Sequence, residues 1–548
     1  MQRSFFIVVI GVVLLAIGAI GGLWLSEARV ARQTPASYSV LDEALEVATR
    51  EYADPVSREQ LTEYAIEGLL NPLDPHSVYI DADRMQAVQE QFNASFEGIG
   101  VTYELIPAPE DRDTILVLTV IPGGPSARAG VQAGDRIVAI DDTNAIGWSH
   151  DKIQRRLKGP EGSTVRVALQ RPGRSERVHT AITRDDVPLR TVDASYMLDG
   201  RTGYIKINRF AQTTYREFQS SLRTLDERGM QRLILDLRGN AGGYMQMAER
   251  VADEFLKEGQ VIVSARSRHS EYTSTREATR GGAFEDRPLT VLVDEHSASA
   301  SEIVAGALQD HDRALIIGRR TYGKGLVQRE FQLGDGSALR VTIARFYTPT
   351  GRLIQTNYEG SRRDYYERKS QRFSGDTLAT RAALVAATPD SLQYRTDAGR
   401  IVVGGGGIVP DQLVPADSFR HPFVTSAVRS GALREYARRW VDNHTGELRA
   451  DWGSNREAFA QAYVVPDSAV AVAMQFLRSS GITESEDPGN EVRQTLAVLL
   501  KSYAGRRLHG IEMWIRVRND IDPAVQKARR SWGDAELLAS KYPIEPAP

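Results

Sequence analysis

At 548 residues with 25% charged positions, the chain is too long for one hydrophobic core, and a prior of about 150 residues per domain implies three or four units. A net charge of −3, with no dominant stripe of Lys and Arg, argues against a nucleic-acid partner. The absence of cysteine excludes disulfides, thiolate metal sites and a cysteine nucleophile together, and no metal or cofactor is expected.

In chain order, residues 5–25 form an uninterrupted run of apolar residues and glycines. That is long enough to cross a hydrocarbon core of roughly 30 Å at 1.5 Å per residue. The run suits a transmembrane anchor better than a cleaved signal, because Ser26-Glu27-Ala28 is a poor cleavage site and no second apolar span returns the chain. Residues 1–4 are then a cytoplasmic tip and the body is extracytoplasmic, periplasmic beyond an inner membrane. Residues 26–95 are expected to be a helical region, with Leu41, Ala44, Leu45 and Ala48 on one face and Tyr64, Ala65, Gly68 and Leu69 on another, ended by Asn71-Pro72-Leu73-Asp74-Pro75. Such helices serve as a lid, as an oligomer contact or as packing for their own domain.

Between residues 96 and 186 the period changes to strands and turns. Strands are expected at 115–120, 136–140 and 164–169, a helix around Ile153 to Leu157, and glycine turns at Gly123-Gly124-Pro125, Ala129-Gly130 and Ala133-Gly134-Asp135. This pattern resembles a PDZ domain, which binds an extended C-terminus by strand addition and captures its carboxylate on successive backbone N–H groups. On that resemblance Gly98, Ile99, Gly100 and Val101 are the carboxylate loop; an ordinary glycine turn before a strand is the alternative.

Residues 187–416 read as an α/β core, with strand and helix alternating from Arg201 onward. The strand Leu233-Ile234-Leu235-Asp236-Leu237 runs into Arg238-Gly239-Asn240-Ala241-Gly242-Gly243, a glycine turn suited to an oxyanion hole, to phosphate, or simply to a tight turn. It matches neither a Walker A loop nor a dinucleotide fingerprint. Residues 291–302, Val-Leu-Val-Asp-Glu-His-Ser-Ala-Ser-Ala-Ser-Glu, read as a buried strand breaking into a helix. Serines at that break either cap the helix or place a hydroxyl where its N-terminal N–H groups stabilise negative charge. Next come Tyr322-Gly323-Lys324-Gly325 and Gln328, then a polar insertion near 352–403 closed by Gly404-Gly405-Gly406-Gly407. Residues 417–548 read as helices for oligomerisation, substrate positioning or structural support.

Without cysteine, a serine nucleophile needs a base. His296 is close to Ser299 in sequence and not evidently aimed at it; His269 and His311 lack an orienting acid. There is no Gly-x-Ser-x-Gly elbow. A buried lysine is the alternative, at a cost to its charged form of roughly 3 kcal/mol for lowering a reference pKa near 10.4 to about 8. Lys324, between two glycines after a buried strand, is placed for that.

From Leu41 to Asp411 the chain resembles the C-terminal processing peptidases, the tail-specific serine proteases of the S41 family, whose core is of the ClpP/crotonase-like type. The resemblance implies Ser299 in Ser-Ala-Ser-Ala-Ser-Glu as nucleophile, Lys324 in Tyr-Gly-Lys-Gly as general base and Gln328 as its orienting partner. It also implies an oxyanion hole of backbone N–H groups, assigned to Gly242 and Ala300. A membrane-anchored serine endopeptidase that grips protein C-termini, cleaves with a Ser-Lys dyad through an acyl-enzyme and assembles as a homo-oligomer is the expected function. Its partners are protein substrates with free, apolar C-termini, and an activating protein is left open. A PDZ scaffold or adaptor on an inactive protease-like core is the competing reading.

Overall fold

The computed structural model describes residues 36–106, 113–279, 281–376, 380–415, 421–482 and 489–541. The apolar run at 5–25 lies outside them, and among the described residues no helix is long and apolar enough to cross a membrane.

The centre of the molecule is a six-stranded sheet in the order Val192–Met197, Thr202–Ile207, Arg232–Asp236, Leu289–Val293, Leu315–Gly318 and Gln412–Leu413. The first pair is antiparallel and every later pair parallel. Parallel strands need both faces covered, and successive side chains point to opposite faces. Leu233, Leu235, Val291, Val293 and Ile316 accordingly join one buried cluster with the helices Thr214–Glu227, Met245–Asp253 and Ala300–Asp310. Ile234, Leu292 and Ile317 join another with Val525, Ala528 and Trp532. The helices Pro523–Arg530 and Trp532–Lys541, far away in sequence, thus complete the second layer of the protease core.

A second sheet packs beside the first and carries Leu326–Gln332 against Ala338–Tyr347. Its outer strand is Val78–Ile80, paired antiparallel with Ala338–Tyr347. The region before the third sheet is helical as expected, with one short strand added. The helices Ala36–Glu51, Arg58–Leu70 and Ala82–Asn93 form, but the segment between the last two is a strand of the protease sheet. Three residues are too few to show a period of two, and the strand is defined by a partner remote in sequence.

Antiparallel strands Val101–Ile106, Thr114–Val120, Arg136–Ile140, Thr164–Gln170 and Val178–Thr183 make the third sheet, with the helix His150–Leu157 packed through Ile153 and Leu157 onto Ile99 and Val165. It is joined to the core by a two-strand stalk, Ser95–Gly98 against Asp185–Pro188. The helices from Pro422–Arg429 to Ile511–Arg518 build a separate core around Leu433, Trp440, Phe459 and Leu496. They meet the third sheet at Asp442, whose carboxylate pairs with Arg136 at 3.0 Å and with Arg507 at 2.9 Å.

The insertion forms the helices Arg362–Asp376 and Arg381–Ala386 and the hairpin Gln393–Arg395 with Ile401–Val403. It is pinned by Arg352, fully buried, which donates to Asp310, to Gln309 Oε1 at 3.1 Å and to the Val403 carbonyl at 3.1 Å. Asp310 Oδ2 in turn accepts from Thr350 Oγ1 at 2.7 Å. A buried pair satisfied on all sides in this way costs about 3–5 kcal/mol to break by removing one partner.

Candidate active site

All five residues of Leu289–Val293 are buried, and the strand ends in a turn that Asp294 ties off. Its Oδ1 accepts from the N–H of His296 and of Ser297, each at 3.1 Å, and from the Gly239 N–H at 3.0 Å. Ser297 Oγ donates to the Leu237 carbonyl at 2.8 Å and Ser301 Oγ to the Asn240 carbonyl at 2.9 Å. Both flanking serines therefore stitch the turn to the glycine loop and are not available as nucleophiles. The His296 side chain is 70% exposed, with Glu295 its nearest acid at 4.0 Å. It stands outside the site.

Ser299 adopts φ 54° and ψ −111° immediately before the helix Ala300–Asp310. A non-glycine residue at positive φ is strained, and here the surroundings hold it there. The principal restraint is the carboxylate of Glu302, which is fully buried. Its Oε2 accepts from the Ser299 N–H at 2.8 Å and from the Lys324 N–H at 2.9 Å. Its Oε1 accepts from the Gly323 N–H at 2.7 Å and from Thr321 Oγ1 at 2.5 Å. Burial pushes the Glu302 carboxyl up, and these hydrogen bonds oppose that shift. One oxygen thus fixes the backbones of both candidate catalytic residues.

The glycines around Lys324 follow from this tight packing. A Cβ on Gly323, at φ +81°, would lie 2.3 Å from Thr356 Oγ1, and one on Gly325 would lie 2.9 Å from the Gln355 N. Lys324 Nζ donates to Gln328 Oε1 at 2.7 Å, and Gln328 Nε2 donates to the His76 carbonyl at 2.6 Å. Gln328 sits in the strand Leu326–Gln332. Burial, then the Arg340 guanidinium, lowers the Lys324 amine to about 8, against opposing pulls from Asp74 and Glu302. The neutral amine is accordingly accessible just above neutral pH.

Ser299, Ala300, Gly242, Gly243, Lys324 and Gln328 open into one cleft of about 790 Å³. No hydrogen bond between Ser299 Oγ and Lys324 Nζ is present among the described residues; such contacts commonly tighten only when substrate is bound. A Cβ on Gly242 would meet Ser299 Cβ at 2.9 Å and Ala300 N at 3.0 Å, so the loop abuts Ser299. The Gly242 N–H, however, donates to Asn240 Oδ1 at 2.9 Å. The Gly242 N–H is thus already engaged, whereas the N–H groups of Gly243 and Ala300 have no partner among the described residues. The Asn side chain engages its own backbone two residues on, a local bond that the glycine pattern does not reveal.

In the third sheet, the Ile99 carbonyl accepts from the Ser126 N–H at 2.9 Å and the Gly100 carbonyl from the Ile121 N–H at 3.0 Å. The N–H groups of Ile99 and Gly100 are without partners among the described residues. The strand Val101–Ile106, which begins at Val101, pairs on one side only. Across the groove Tyr103 donates to the His150 carbonyl at 3.4 Å, with the two rings 5.0 Å apart. Gly98 closes the stalk strand, and a Cβ there would strike the Phe96 ring at 2.8 Å. The Gly98–Val101 loop is thus a backbone donor site at the end of an open sheet edge.

Sequence reasoning gave no role to Glu302 or His76. Glu302 carried a legible signal, since Ser299-x-x-Glu302 is the spacing of a capping box. His76 carried none, because its carbonyl reaches Gln328 across 252 residues.

Glu302→Gln replaces one acceptor oxygen by a donor facing two N–H groups, leaving buried donors unpaired and the two residues loosely placed. A fall in kcat of about 100-fold is expected, with unchanged affinity for a C-terminal peptide; kcat at the level of the unsubstituted protein would contradict this role for Glu302.

Comparison with known proteins places the chain in a family. The model of peptidase family S41 matches residues 201–366, that of a PDZ domain residues 116–171, and that of the activating protease CtpB N-terminal domain residues 25–84. A carboxy-terminal-processing protease of Bartonella bacilliformis is 36% identical over 301 residues, 54% of this chain and 68% of the relative. The carboxy-terminal processing protease CtpA of Bacillus subtilis is 32% identical over 357 residues, 64% of this chain and 74% of the relative. Among solved structures, the photosystem II D1 C-terminal processing protease is 26% identical, with 70% of this chain and 95% of that one covered at a TM-score of 0.35. The chain therefore belongs to the S41 family of carboxy-terminal-processing proteases: it is a serine endopeptidase that carries a PDZ domain.

Proposed function

We propose that the protein cleaves polypeptides selected by their C-termini, with Ser299 as nucleophile and Lys324 as general base. Lys324 in its neutral form takes the Ser299 hydroxyl proton as Oγ attacks the scissile carbonyl. The resulting oxyanion is met by the N–H groups of Ala300 and Gly243, at the N-terminus of a helix and in a glycine turn. Collapse of the intermediate transfers the lysine's proton to the leaving amine and leaves an acyl-enzyme; water then attacks it by the same route in reverse. Gln328 holds the amine during both half-reactions.

The observation that carries this reading is the shared Glu302 oxygen, which ties the backbones of Ser299 and Lys324 together on one cleft. Selection is assigned to the PDZ domain, where an apolar C-terminal residue sits near Ile99 and its carboxylate on the Ile99 and Gly100 N–H groups. Gripping the tail raises its local concentration at the cleft. Ser299→Ala and Lys324→Ala are each expected to lower cleavage of an unfolded substrate by about 10³-fold or more without weakening tail binding. Amidating the substrate's C-terminus is expected to slow the unsubstituted enzyme. Full activity in either variant would defeat the dyad, and an unchanged rate on the amidated substrate would defeat carboxylate capture.

The apolar run at 5–25 supports an uncleaved anchor in the cytoplasmic membrane with the catalytic body on the far side, and assembly as a homo-oligomer goes with it as part of this reading. Protease added to cells with a permeabilised outer layer is expected to digest the body; protection would place it on the cytoplasmic side.

A further inference from the structure

The turn that leaves the helix Arg58–Leu70 and enters the strand Val78–Ile80 is built around Asp74, which is 7% exposed. Asp74 Oδ1 accepts from the His76 N–H at 2.8 Å and the Ser77 N–H at 2.9 Å, and Oδ2 from Ser77 Oγ at 2.6 Å. Ser77 Oγ accepts from the Thr342 N–H at 3.2 Å, and the Ser77 carbonyl from Arg362 Nη2 at 2.5 Å. The turn is thus anchored to the protease sheet on one side and to the insertion helix Arg362–Asp376 on the other.

Held in this way, the His76 carbonyl points at Gln328. A carbonyl can only accept, so Gln328 must turn its NH₂ toward His76 and its Oε1 toward the lysine amine. Without that contact the Gln328 amide is free to flip and set donor against donor at Lys324. The His76 ring Nε2 lies 3.3 Å from Tyr365 Oη, which accepts from Lys369 Nζ at 3.3 Å. Burial first, then the Lys324 and Lys369 charges, lowers His76 to about 3, and burial together with Arg372 lowers Lys369 to about 6. Neither group adds a positive charge beside Lys324 at pH 8. The groups facing Lys324 are then Asp74 and neutral His76 from the turn, Glu302 from the helix Ala300–Asp310, Arg340 from the strand Ala338–Tyr347, and Lys369 from the insertion, whose Arg362 acts on His76.

We propose that the turn Asp74-Pro75-His76-Ser77 is a positioning element of the protease site: its backbone fixes Gln328 and through it the Lys324 amine, while the Asp74 carboxylate supplies negative charge facing that amine. This rests on the Ser299–Lys324 reading above. It makes the N-terminal helical region a working part of the peptidase, because displacing that region would release the base.

The test is the rate at which a fluorophosphonate phosphonylates Ser299, Oγ bonding to phosphorus as fluoride leaves, against pH and measured on the full chain. Asp74→Asn keeps an acceptor for the turn and removes the charge. A carboxylate favours protonated lysine, so its loss should move the alkaline-rising limb to lower pH. Ser77→Ala loosens the turn and keeps the charge; its maximal rate should fall about 10-fold or more with the limb unmoved. Should Asp74→Asn fail to fold, the Ser77→Ala rate decides, and equality with the unsubstituted enzyme overturns the proposal. Lys324→Ala is run in parallel. If it remains fast, the dyad itself fails; if it is slow while both Asp74→Asn and Ser77→Ala superimpose on the unsubstituted profile, the role of the turn alone fails.

Discussion

A single buried oxygen organises this protease. Glu302 Oε2 takes the N–H of Ser299 and the N–H of Lys324, so a residue at a helix start and a residue after the next strand of the central sheet are held by one anion. The parallel strands Leu289–Val293 and Leu315–Gly318 lie side by side, which brings their C-terminal ends together, and the carboxylate joins what the sheet has brought close. The arrangement also holds Ser299 in its strained backbone conformation. Strain of this kind persists only where the surroundings over-determine it.

The Lys324 amine illustrates how much of the chemistry comes from position. A lysine on the surface is protonated at any physiological pH; this one is walled in by the strand Ala338–Tyr347, the insertion and the N-terminal turn. Burial and the Arg340 guanidinium lower it, and the Asp74 and Glu302 carboxylates keep it from falling further. The amine is therefore tuned by residues from three separate stretches of the chain. Gln328 then aims it, and the His76 carbonyl aims Gln328.

Sequence alone made the local parts of this site legible. Ser299 and Lys324 lie at strand ends followed by glycines or small residues, and those signals are short-range. Ser297, Ser301 and His296 were set aside on the resemblance and on spacing, but the contacts that occupy the two serines depend on what their atoms touch across the turn. The non-local parts left no trace in periodicity. The strand Val78–Ile80 shows no alternation of its own and exists through its pairing with Ala338–Tyr347. The helices Pro523–Arg530 and Trp532–Lys541 read as amphipathic helices, and nothing in their sequence says that Val525 and Trp532 cover the face of the sheet bearing Ile234 and Leu292. The Gly242 and Gly243 pair was legible as a glycine turn, but the side chain of Asn240 decides which of the two keeps a free N–H.

The central claim is that burial turns Lys324 into a base. Titrating its amine directly, by ¹³Cε NMR of lysine-labelled protein with Lys324→Arg to assign the resonance, tests this without reference to any substrate. A midpoint near the value of about 8 set by burial and Arg340 is expected, in place of the ordinary lysine value of 10.5. A Lys324 resonance that titrates with the surface lysines would contradict it.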